Sequence, residues 1–531
     1  DNIPLQSSAL LQTAGLEGRK MDQSVAWALA HTSEFFDLQA HHTLVVGFVV
    51  VSAAAYFLYA AVDRFYKLRL HPLSKFPGPK EACLSQKWLL RVSEQGNPEH
   101  LFQRLHEKYN SRAIRIGPNE LHIDDVKLYK YIYNQSSTYI KHEAFYAGFN
   151  TPHTVFAQHI PSLHKERRRR LNPFFSRRAI GQLEGLLKEK IEELGRRIDI
   201  QDGPYNIFNA IRCTTVDIIS HYSVGKSLGQ LEKSDKGFNG DFLEAFDALS
   251  KVLWKFMYKP TFRRIVTSIP TRIAKAASNE TRLMFTIYDA CYAAAINFKR
   301  SPPQSPYGTI FSNLSDLDEK EMGAEAVDLL IAGSDTTAYT LAVAVTQIAQ
   351  SSRIKKRLVE ALDTRIINAE SLPSLVELEQ IEYLNASVRE AVRFAIASPG
   401  RLPRTVPRNA QPLVVGDQVV PAGSIIGMSA YTMNFSKELW GEDADAFNPD
   451  RWLGIGGKSL DANMCSLSKG IRSCLGQNLA YAEIHYILAY LFKKYEVSLV
   501  DNEAMIEVFD RFTSYVTSHA VMVDLGRREA Q

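Results

Sequence analysis

Residues 466–476, SLSKGIRSCLG, decide the fold, and they run directly into a helical pattern that begins at Gln477. Cys474 lies just before the N-terminus of that helix and two residues after Arg472. Both features place positive potential beside the thiol, which lowers its pKa and favours the thiolate. A thiolate is a nucleophile or a metal ligand, whereas a lone cysteine with neither role is a buried structural residue. The glycines at 470 and 476 favour a functional site, because they let a flat group approach the backbone closely.

A second polar motif, AGSDTT at residues 332–337, interrupts an apolar helical pattern over residues 323–350. Glycine inside a helix costs about 1 kcal/mol relative to alanine, and buried polar residues cost more unless they have partners. Thr336 and Thr337 follow Gly333 by three and four positions, so a hydroxyl shares a helix face with the gap that the glycine leaves. The alternative is that the threonines bond back to carbonyls four residues earlier. Glycine, aspartate and threonine together favour a niche beside a proton donor.

The segment around Cys474 has the pattern G-x-R-x-C-x-G and resembles the haem-binding signature of the cytochrome P450 family. The resemblance implies that Cys474 is the axial thiolate of a haem iron. It also implies that the other signature residues lie against the cofactor: Gly470, Arg472 and Gly476. One departure is Leu467, which stands where the family usually has phenylalanine and bears on the redox potential of the haem.

Residues 332–337 match the oxygen-activation motif of the same family. The resemblance implies that Asp335 and Thr336 manage proton delivery during oxygen activation. Members that act as isomerases or dehydratases tend to lose this threonine and acid, whereas both are present in this chain. The motif therefore favours a monooxygenase.

Glu390 and Arg393 are spaced i, i+3 within a helical pattern over residues 383–397, which by itself predicts only a surface ion pair. Their place between the other two motifs is the one that the family resemblance implies. Residues 447–452, FNPDRW, are similar to the family's meander segment, which implies that Arg451 completes a network with Glu390 and Arg393. Arginine suits this role because its planar fork serves two carboxylate oxygens at once. We expect the network to support the structure around the haem.

Three further basic residues are assigned to the haem propionates by the resemblance. His164 and Arg168 stand where the family usually has Trp-x-x-x-Arg, and this variant still offers two donors. Arg404, in a Leu-Pro-Arg sequence, is the other propionate partner. The basic run at 165–170 is otherwise typical of a solvated helix face, and its remaining arginines are expected to meet an acidic electron donor.

The rest of the body indicates one large, mainly helical domain with a minor β-sheet, which is the fold that a cytochrome P450 resemblance implies. Long amphipathic patterns predict helices over 179–198, 240–258, 278–299, 323–350, 353–370, 383–397 and 475–495. Strand patterns predict two hairpins, 113–116 with 121–123 and 413–415 with 419–420, and a further strand over 425–429. The resemblance covers about residues 70–520. By analogy, substrate contacts are expected from segments 136–160, 222–260 and 396–404.

Residues 44–62, LVVGFVVVSAAAYFLYAAV, contain no charge. At about 1.5 Å per residue they form a helix of about 28 Å, which is enough to cross the bilayer core. A buried core helix usually carries a polar stripe, and this segment has none. A cleaved secretory signal has a shorter apolar run and a small-residue cleavage site. The sequence therefore predicts a retained, single-pass transmembrane anchor.

The flanks of this span predict the organisation of the chain. Basic residues dominate its C-terminal side, and the positive-inside rule places the body in the cytosol, most naturally on the endoplasmic reticulum. Three prolines at residues 72–79 hold the backbone extended. We expect an N-terminal lumenal segment over 1–43, the anchor over 44–62, a basic and proline-rich hinge over 63–80 and the haem-thiolate catalytic domain over 81–531.

Composition narrows the class of protein. The 531 residues include 62 Lys plus Arg against 58 Asp plus Glu, and 45% are apolar. This balance excludes a disordered or collagen-like chain and a polyanion-binding tail, so no nucleic-acid partner is expected. Five cysteines without a CxxC pair fit neither a disulfide scaffold nor a zinc module.

The resemblance implies a membrane-anchored monooxygenase that hydroxylates or epoxidises an apolar small molecule with O2. Its electrons would come from NADPH-cytochrome P450 reductase, with cytochrome b5 as a further donor. The chain looks most like fungal microsomal members of secondary metabolism, including terpenoid oxygenases such as trichodiene oxygenase. Two alternatives stay open: a haem-thiolate isomerase or dehydratase that needs no reductase, and a membrane scaffold without haem.

Overall fold

The computed structural model describes residues 23–201, 203–368, 370–408, 411–503, 506, 508–516 and 521–528. The chain divides between His71 and Pro72 into two units.

The first unit is a long helix, α1 (Gln23–Phe65), followed by a π-helical turn at Tyr66–Leu70. Its apolar part, His42–Leu70, contains an 18-residue stretch with a mean hydropathy of 2.2, and none of that stretch is buried within the structure. Length and composition therefore allow it to cross a membrane, as the sequence predicts. The helix starts before the predicted span, because no glycine or proline interrupts residues 23–43.

The second unit is mainly helical. Its helices are α2 (Lys80–Leu84), α3 (Gln86–Glu94), α4 (Pro98–Tyr109), α5 (Val126–Ile132), α6 (Glu143–Tyr146), α7 (Pro161–Leu171), α8 (Arg177–Gln182), α9 (Glu184–Asp199), α10 (Ile207–Val224), α11 (Gln230–Lys233), α12 (Asp241–Tyr258), α13 (Pro260–Ser268), α14 (Thr271–Ala277), α15 (Asn279–Arg300), α16 (Glu319–Gln350), α17 (Ser352–Arg365), α18 (Leu375–Glu379), α19 (Glu382–Ala395), α20 (Ala430–Asn434), α21 (Lys437–Trp440), α22 (Gly454–Leu460) and α23 (Gln477–Lys494).

Short strands accompany these helices. They are β1 (Ala113–Gly117), β2 (Glu120–Ile123), β3 (Ile140–Lys141), β4 (Tyr205–Asn206), β5 (Arg404–Thr405), β6 (Leu413–Val415), β7 (Gln418–Val420), β8 (Ile425–Gly427), β9 (Tyr495–Leu499), β10 (Val508–Arg511), β11 (Thr513–Val516) and β12 (Met522–Arg527). One sheet has the order β1-β2-β8-β5-β3, a second has β4-β12-β9, and β6-β7 and β10-β11 form hairpins. The fold is thus the predicted mainly α architecture with a minor β region.

Both predicted hairpins form, β1 with β2 and β6 with β7, and the third predicted strand, β8, pairs in parallel with β2. The seven predicted helices are present with shifted ends. The first is divided into α8 and α9, and α17 ends at Arg365, five residues early. Helix α16 starts at Glu319, four residues early, because the Asp318 side chain caps it by accepting a hydrogen bond from the Glu321 N–H at 2.7 Å.

Helix α16 is the centre of the second unit and packs against α10, α15, α19 and α23. It is long and apolar enough to cross a membrane by composition, but 78% of its apolar window is buried inside the protein. Its hydrophobic residues therefore stabilise the core of the fold. The same helix carries the polar residues that the sequence assigns to chemistry.

Much of the predicted hinge packs on the second unit. Leu73 is fully buried, and the Arg115 N–H on β1 donates to the Pro77 carbonyl at 2.7 Å. Glycine is required at position 78, because a Cβ there would lie 2.2 Å from the Arg115 carbonyl oxygen. Residues 72–79 thus contact the folded body at these positions.

Candidate active site

A cavity of about 380 Å³ lies in the second unit. Its walls include the middle of α16, the start of α23 and the loop before α23 that carries Cys474. Each of the three segments predicted to supply substrate contacts also contributes lining residues, among them Phe149, Phe256 and Leu402. The cavity therefore brings together motifs that are far apart in sequence.

Cys474 lies at the cavity, and its backbone N–H donates to the Leu467 carbonyl at 2.8 Å. Burial raises the pKa of the Cys474 thiol, while a backbone hydrogen bond from Gly476 and the charge of Arg168 lower it. The predicted low pKa is therefore wrong for the thiol by itself, since burial outweighs the positive neighbours. A bound metal ion changes this balance, because it deprotonates a coordinating thiol.

The positive neighbour of the thiol also differs from the prediction. The Arg472 guanidinium donates to the carbonyls of Gln158 at 2.7 Å and His159 at 3.3 Å, and its charge is not among the causes that shift the pKa of the thiol. Arg168, which reaches the same loop from α7, is the side chain whose charge acts on the Cys474 thiol. Sequence proximity alone therefore identified the wrong cation.

The two signature glycines are required for different reasons. Gly470 has a φ of +73°, and a Cβ there would lie 2.3 Å from the backbone of Asn134. Protein backbone, and not a flat ligand, therefore fills the space beside Gly470. At Gly476 the nearest atom to a Cβ would be a ring carbon of Phe175 at 4.0 Å, and the residue lines the cavity. Only Gly476 leaves space open for a bound group.

Basic side chains form one side of the cavity, which we call the basic wall: Lys141, His164, Arg168, Arg404 and Arg472. Four of these residues were predicted from the sequence. Lys141 on β3 was not, because a single lysine in a two-residue strand has no motif around it. Burial and the neighbouring arginines lower the pKa of Lys141, and they lower the pKa of His164 to about 3.

Backbone carbonyls hold the basic wall in place. Lys141 Nζ donates to the Phe156 carbonyl at 2.6 Å, and Arg168 Nη1 donates to the Ser473 carbonyl at 2.7 Å. Arg404 Nη1 donates to the two carbonyls just before it, at 3.1 and 3.2 Å, and to the Tyr146 hydroxyl at 3.0 Å. These contacts fix the side chains but do not neutralise their charge.

The basic wall fits the two carboxylates of a haem. Within the part of the chain that the structure describes, none of its lysine or arginine side chains forms an ion pair with a carboxylate. A set of buried cations without anions is costly unless an anionic group neutralises it. A thiol, an adjacent open space at Gly476 and this cationic wall together match the donor set that a haem needs.

Acidic side chains from α16 and α23 also line the cavity, and we call them the acidic wall: Asp328, Asp335 and Glu483. The sequence predicted only Asp335. Both oxygens of Glu483 are buried without a hydrogen-bond partner, and burial raises its pKa well above the usual value. Glu483 is the one acid within α23, which was a sequence signal for it, whereas Asp328 shares α16 with other acids and had no such signal.

The predicted proton-handling pair lies on one turn of α16. Asp335 Oδ1 is 2.8 Å from Arg212 Nε of α10, and burial raises the pKa of Asp335 while Arg212 lowers it. Thr336 Oγ1 donates to the Ala332 carbonyl at 2.8 Å. This is the hydrogen bond to a carbonyl four residues earlier that the sequence allows as the alternative. Both residues nevertheless line the cavity.

Gly333 leaves no niche of the predicted kind. A Cβ at this position would lie 2.8 Å from Cγ1 of Ile219 on α10. The glycine therefore permits close packing of α10 on α16. The prediction that its gap stands open beside the threonine hydroxyl is wrong, because a side chain from another helix fills it.

Glu390, Arg393 and Arg451 come together as a buried network. Arg393 donates to both Glu390 oxygens, at 2.7 and 2.9 Å, and Arg451 Nε donates to Glu390 Oε1 at 3.1 Å. The structure adds members that the sequence did not identify, because Trp452 Nε1 donates to Glu390 Oε2 at 2.8 Å and Asp443 pairs with Arg451 at 2.9 Å. None of the three predicted residues lines the cavity. Their position supports a structural role.

Three comparisons place this geometry among known proteins. The sequence model of the family described as "Cytochrome P450" matches residues 76–520. The chain is 28% identical over 485 residues to cytochrome P450 monooxygenase macH of Penicillium terrestre, which covers 86% of this chain and 93% of the relative. It is 30% identical over 466 residues to fusicoccadiene C-8 hydroxylase of Alternaria brassicicola, which covers 82% of this chain and 86% of the relative.

A solved structure, the haem domain of cytochrome P450DA, matches with a TM-score of 0.70 at 15% identity. The match covers 86% of this chain and 98% of that chain, so the fold is the same. The sequence-family match spans most of the body and includes the cavity with its cysteine and basic wall. The protein therefore belongs to the cytochrome P450 family of haem-thiolate monooxygenases.

Proposed function

We propose that this cytochrome P450 hydroxylates or epoxidises an apolar small molecule, a terpenoid or another secondary metabolite, while anchored in a membrane. O2 is the co-substrate, and electrons come from an NADPH-dependent cytochrome P450 reductase, with cytochrome b5 as a further donor. The observation that carries the proposal is the single cavity lined by the Cys474 thiol, the basic wall and the Asp335–Thr336 turn.

The residues present assign distinct parts of the site to the cofactor. When bound, the haem supplies the iron at which dioxygen is activated. Cys474 would ligate the iron, and the basic wall would hold the propionates. Gly476 would leave room for the macrocycle, whereas Gly470 would act by shaping the loop that presents the thiol.

Asp335 and Thr336 would handle protons. Arg212 Nε holds Asp335 Oδ1 at 2.8 Å, and Arg212 Nη2 also donates to Asp247 at 3.2 Å. The Asp247 side chain is 32% exposed, so a chain of charged groups links the protein surface to the cavity. The Thr336 hydroxyl donates its hydrogen bond to the Ala332 carbonyl. Its oxygen therefore remains available to accept a hydrogen bond from a group in the cavity.

The remaining lining excludes water and fits an apolar substrate. Aromatic rings dominate this part of the cavity: Phe149, Phe156, Phe246, Phe256 and Phe512. Ligand sites are usually apolar with a few placed polar groups, and this cavity follows that pattern. The relative named for hydroxylation of fusicoccadiene, a diene, supports the same substrate class.

Two features support a membrane location. Helix α1 has the apolar length to serve as a single-pass anchor. On the second unit, α13, α14 and the link between them expose apolar side chains beside several lysines and arginines: Phe262, Ile265, Ile269 and Ile273. Such a surface suits the interface of a bilayer. We place the anchor in the endoplasmic reticulum, with residues 1–43 lumenal, 63–80 as the hinge region and the catalytic domain, 81–531, cytosolic.

The surface for the electron donor is narrower than the sequence predicts. Arg167 pairs with Glu325 at 3.1 Å and Arg170 pairs with Asp316 at 2.6 Å, so both are neutralised within the protein. Lys165 and Arg169 of the same run are exposed. These two residues are the ones of the run that we expect to meet an acidic donor.

The test is turnover of the full-length holoenzyme in lipid vesicles with NADPH and the reductase, on a panel of terpenoid and polyketide scaffolds. The expected product carries one added oxygen atom and requires both NADPH and O2. Turnover that persisted without NADPH and reductase would instead establish the isomerase or dehydratase alternative. The Cys474→Ala variant is the inactive control.

A further inference from the structure

Glu325 and Asp328, one turn apart on α16, differ in their hydrogen bonds and ion pairs. Glu325 accepts the Val155 N–H at 3.1 and 3.3 Å and pairs with Arg167 at 3.1 Å. Asp328 lines the cavity, its Oδ2 has no hydrogen-bond partner, and it forms no ion pair with any residue that the structure describes. A carboxylate oxygen that is buried without a hydrogen bond costs free energy unless a bound group satisfies it. The contacts within the protein therefore do not explain why an acid stands at position 328.

Polar groups from two other elements face the same part of the cavity. Thr151 lines it and is buried, and its Oγ1 makes no hydrogen bond of normal geometry, although it lies near enough to Asp328 to lower the pKa of that carboxyl. Thr154 is already engaged, because its Oγ1 donates to the Thr151 carbonyl at 3.0 Å and accepts from the Ala157 N–H at 3.1 Å. Tyr288 of α15 lines the cavity close to Asp328. These side chains form a small polar patch in the lining.

The charges around the patch determine which donor it accepts. Burial raises the pKa of Asp328 to about 6, while Thr154, Thr151 and Lys141 lower it, so the carboxylate is ionised at neutral pH. Lys141 donates to the Phe156 carbonyl at 2.6 Å and lies over the rings of Tyr146 at 4.1 Å and Phe156 at 4.2 Å. Because this ammonium group is engaged yet close by, it disfavours a second cation beside Asp328. A neutral hydroxyl suits the patch better than a protonated amine.

We infer that Asp328 and Thr151 form a substrate subsite that accepts the hydrogen of a neutral hydroxyl group. This inference rests on the proposed function and names the substrate class more narrowly: an apolar skeleton that already carries an alcohol. Asp328 precedes Thr336 by eight residues, which corresponds to about 12 Å along the helix axis. The hydroxyl therefore lies about 12 Å, measured along α16, from the level at which oxygen is activated.

Probes that bind the haem at one end test the subsite without knowledge of the substrate. We would use imidazol-1-yl derivatives of octanol, decanol and dodecanol, whose imidazole ligates ferric haem and whose hydroxyl extends into the cavity. Each alcohol is paired with its methyl ether, which keeps the oxygen and loses the donor. The shift of the haem absorbance gives the Kd of each probe for the full-length holoenzyme.

At least one alcohol is expected to bind about tenfold more tightly than its ether, the effect of one hydrogen bond to a charged group. The preference should depend on chain length, because only one length matches the separation. Asp328→Asn should remove most of the preference, and Thr151→Val should reduce it. Asp417→Asn, which changes an exposed carboxylate in the β6–β7 turn, should leave the preference unchanged.

Equal affinities of every alcohol and its ether for the wild-type protein would overturn the inference. A preference that survived Asp328→Asn in a variant with full haem content would also overturn it. In both cases the probes still shift the haem absorbance, so the proposed function stands. If no probe, including imidazole itself, shifted the absorbance, the assignment of the haem site would be wrong. The inferred subsite would then be wrong as well.

Discussion

The basic and acidic walls of the cavity differ in how well their charged side chains are hydrogen-bonded. On the basic wall, backbone carbonyls fix Lys141, Arg168, Arg404 and Arg472, and only the charge of these side chains lacks a partner. On the acidic wall, Oδ2 of Asp328 and both oxygens of Glu483 make no hydrogen bond of normal geometry, although neighbouring threonine hydroxyls lower the pKa of both carboxyls. A rigid set of cations suits a group that stays bound. Carboxyl groups with free hydrogen-bonding capacity suit reversible binding, such as the binding of protons and substrate.

The largest effect is expected on the acidic wall. Asp335→Asn removes the carboxyl that Arg212 holds at 2.8 Å and should lower turnover about a hundredfold, the usual scale of a lost acid or base. Haem content should not change, because the basic wall is intact. Reductase-supported turnover and its solvent isotope effect are the measurements.

Asp247→Asn is the matched control, since it contacts the other end of Arg212 and does not line the cavity. It should lower turnover much less than Asp335→Asn. Equal turnover in Asp335→Asn and the wild type would remove Asp335 from the proton path.

A charge change on the basic wall should affect cofactor retention more than chemistry. Arg404→Leu removes a buried cation without an ion-pair partner and should speed haem loss about tenfold, the effect of losing one charge-assisted hydrogen bond. Arg404→Lys keeps the charge and should retain most of the haem. The measurement is the haem-to-protein ratio during transfer of haem to an apo-globin acceptor.

Arg353→Gln changes an exposed arginine on α17 that pairs with Asp450 and serves as the control. Haem loss that was equally slow in Arg404→Leu, Arg404→Lys and the control would show that the charge at position 404 does not hold the cofactor.

Substitutions at the two signature glycines should have different effects, one on the stability of the fold and the other on haem binding. Gly470→Ala places a Cβ at a φ of +73° and 2.3 Å from the Asn134 backbone, so it should destabilise the fold by about 1–2 kcal/mol or more. Gly476→Ala adds a methyl group to open space and should weaken haem binding without lowering the stability of the apoprotein. Thermal unfolding of the apo and holo forms distinguishes the two. The reverse pattern would contradict the assignment of the glycines.

The smallest effect is expected from pH at the polar patch. The pKa of Asp328 is raised to about 6, so the carboxylate is charged at pH 7.5 and mostly protonated at pH 5. The preference for an alcohol probe over its ether should therefore narrow a few-fold as pH falls across this window. The titratable groups that interact with Asp328 are Glu325, Lys141, Tyr288, Cys291 and Tyr292. Asp328→Asn should abolish the pH dependence, and a dependence that remained would assign it to one of these neighbours.

Short-range patterns predicted much of the fold and part of the site. The periodic apolar segments gave the seven helices, and the Glu390–Arg393–Arg451 network came together as the family resemblance implies. These features depend on residues whose role is visible from spacing within one helix or one motif.

Features that depend on long-range packing were missed. Lys141 joins the basic wall only because β3 pairs with β5, and the gap at Gly333 is filled by Ile219 of another helix. The pKa of Cys474 depends on burial, which spacing does not reveal. Glu483 was accessible to sequence reasoning, since it is a lone acid within an apolar helical pattern, whereas Asp328 is one of several acids on α16 and does not stand out.

The central claim is that Cys474 ligates a haem iron, and the spectrum of the reduced, carbon monoxide-bound holoprotein tests it most directly. The wild type should give the red-shifted Soret band of a thiolate-ligated haem, and Cys474→Ala should lose that band. Cys465→Ala, a change at a buried cysteine nine residues earlier, should keep it. A folded wild-type protein without the band, or a Cys474→Ala variant that retained it, would contradict the account.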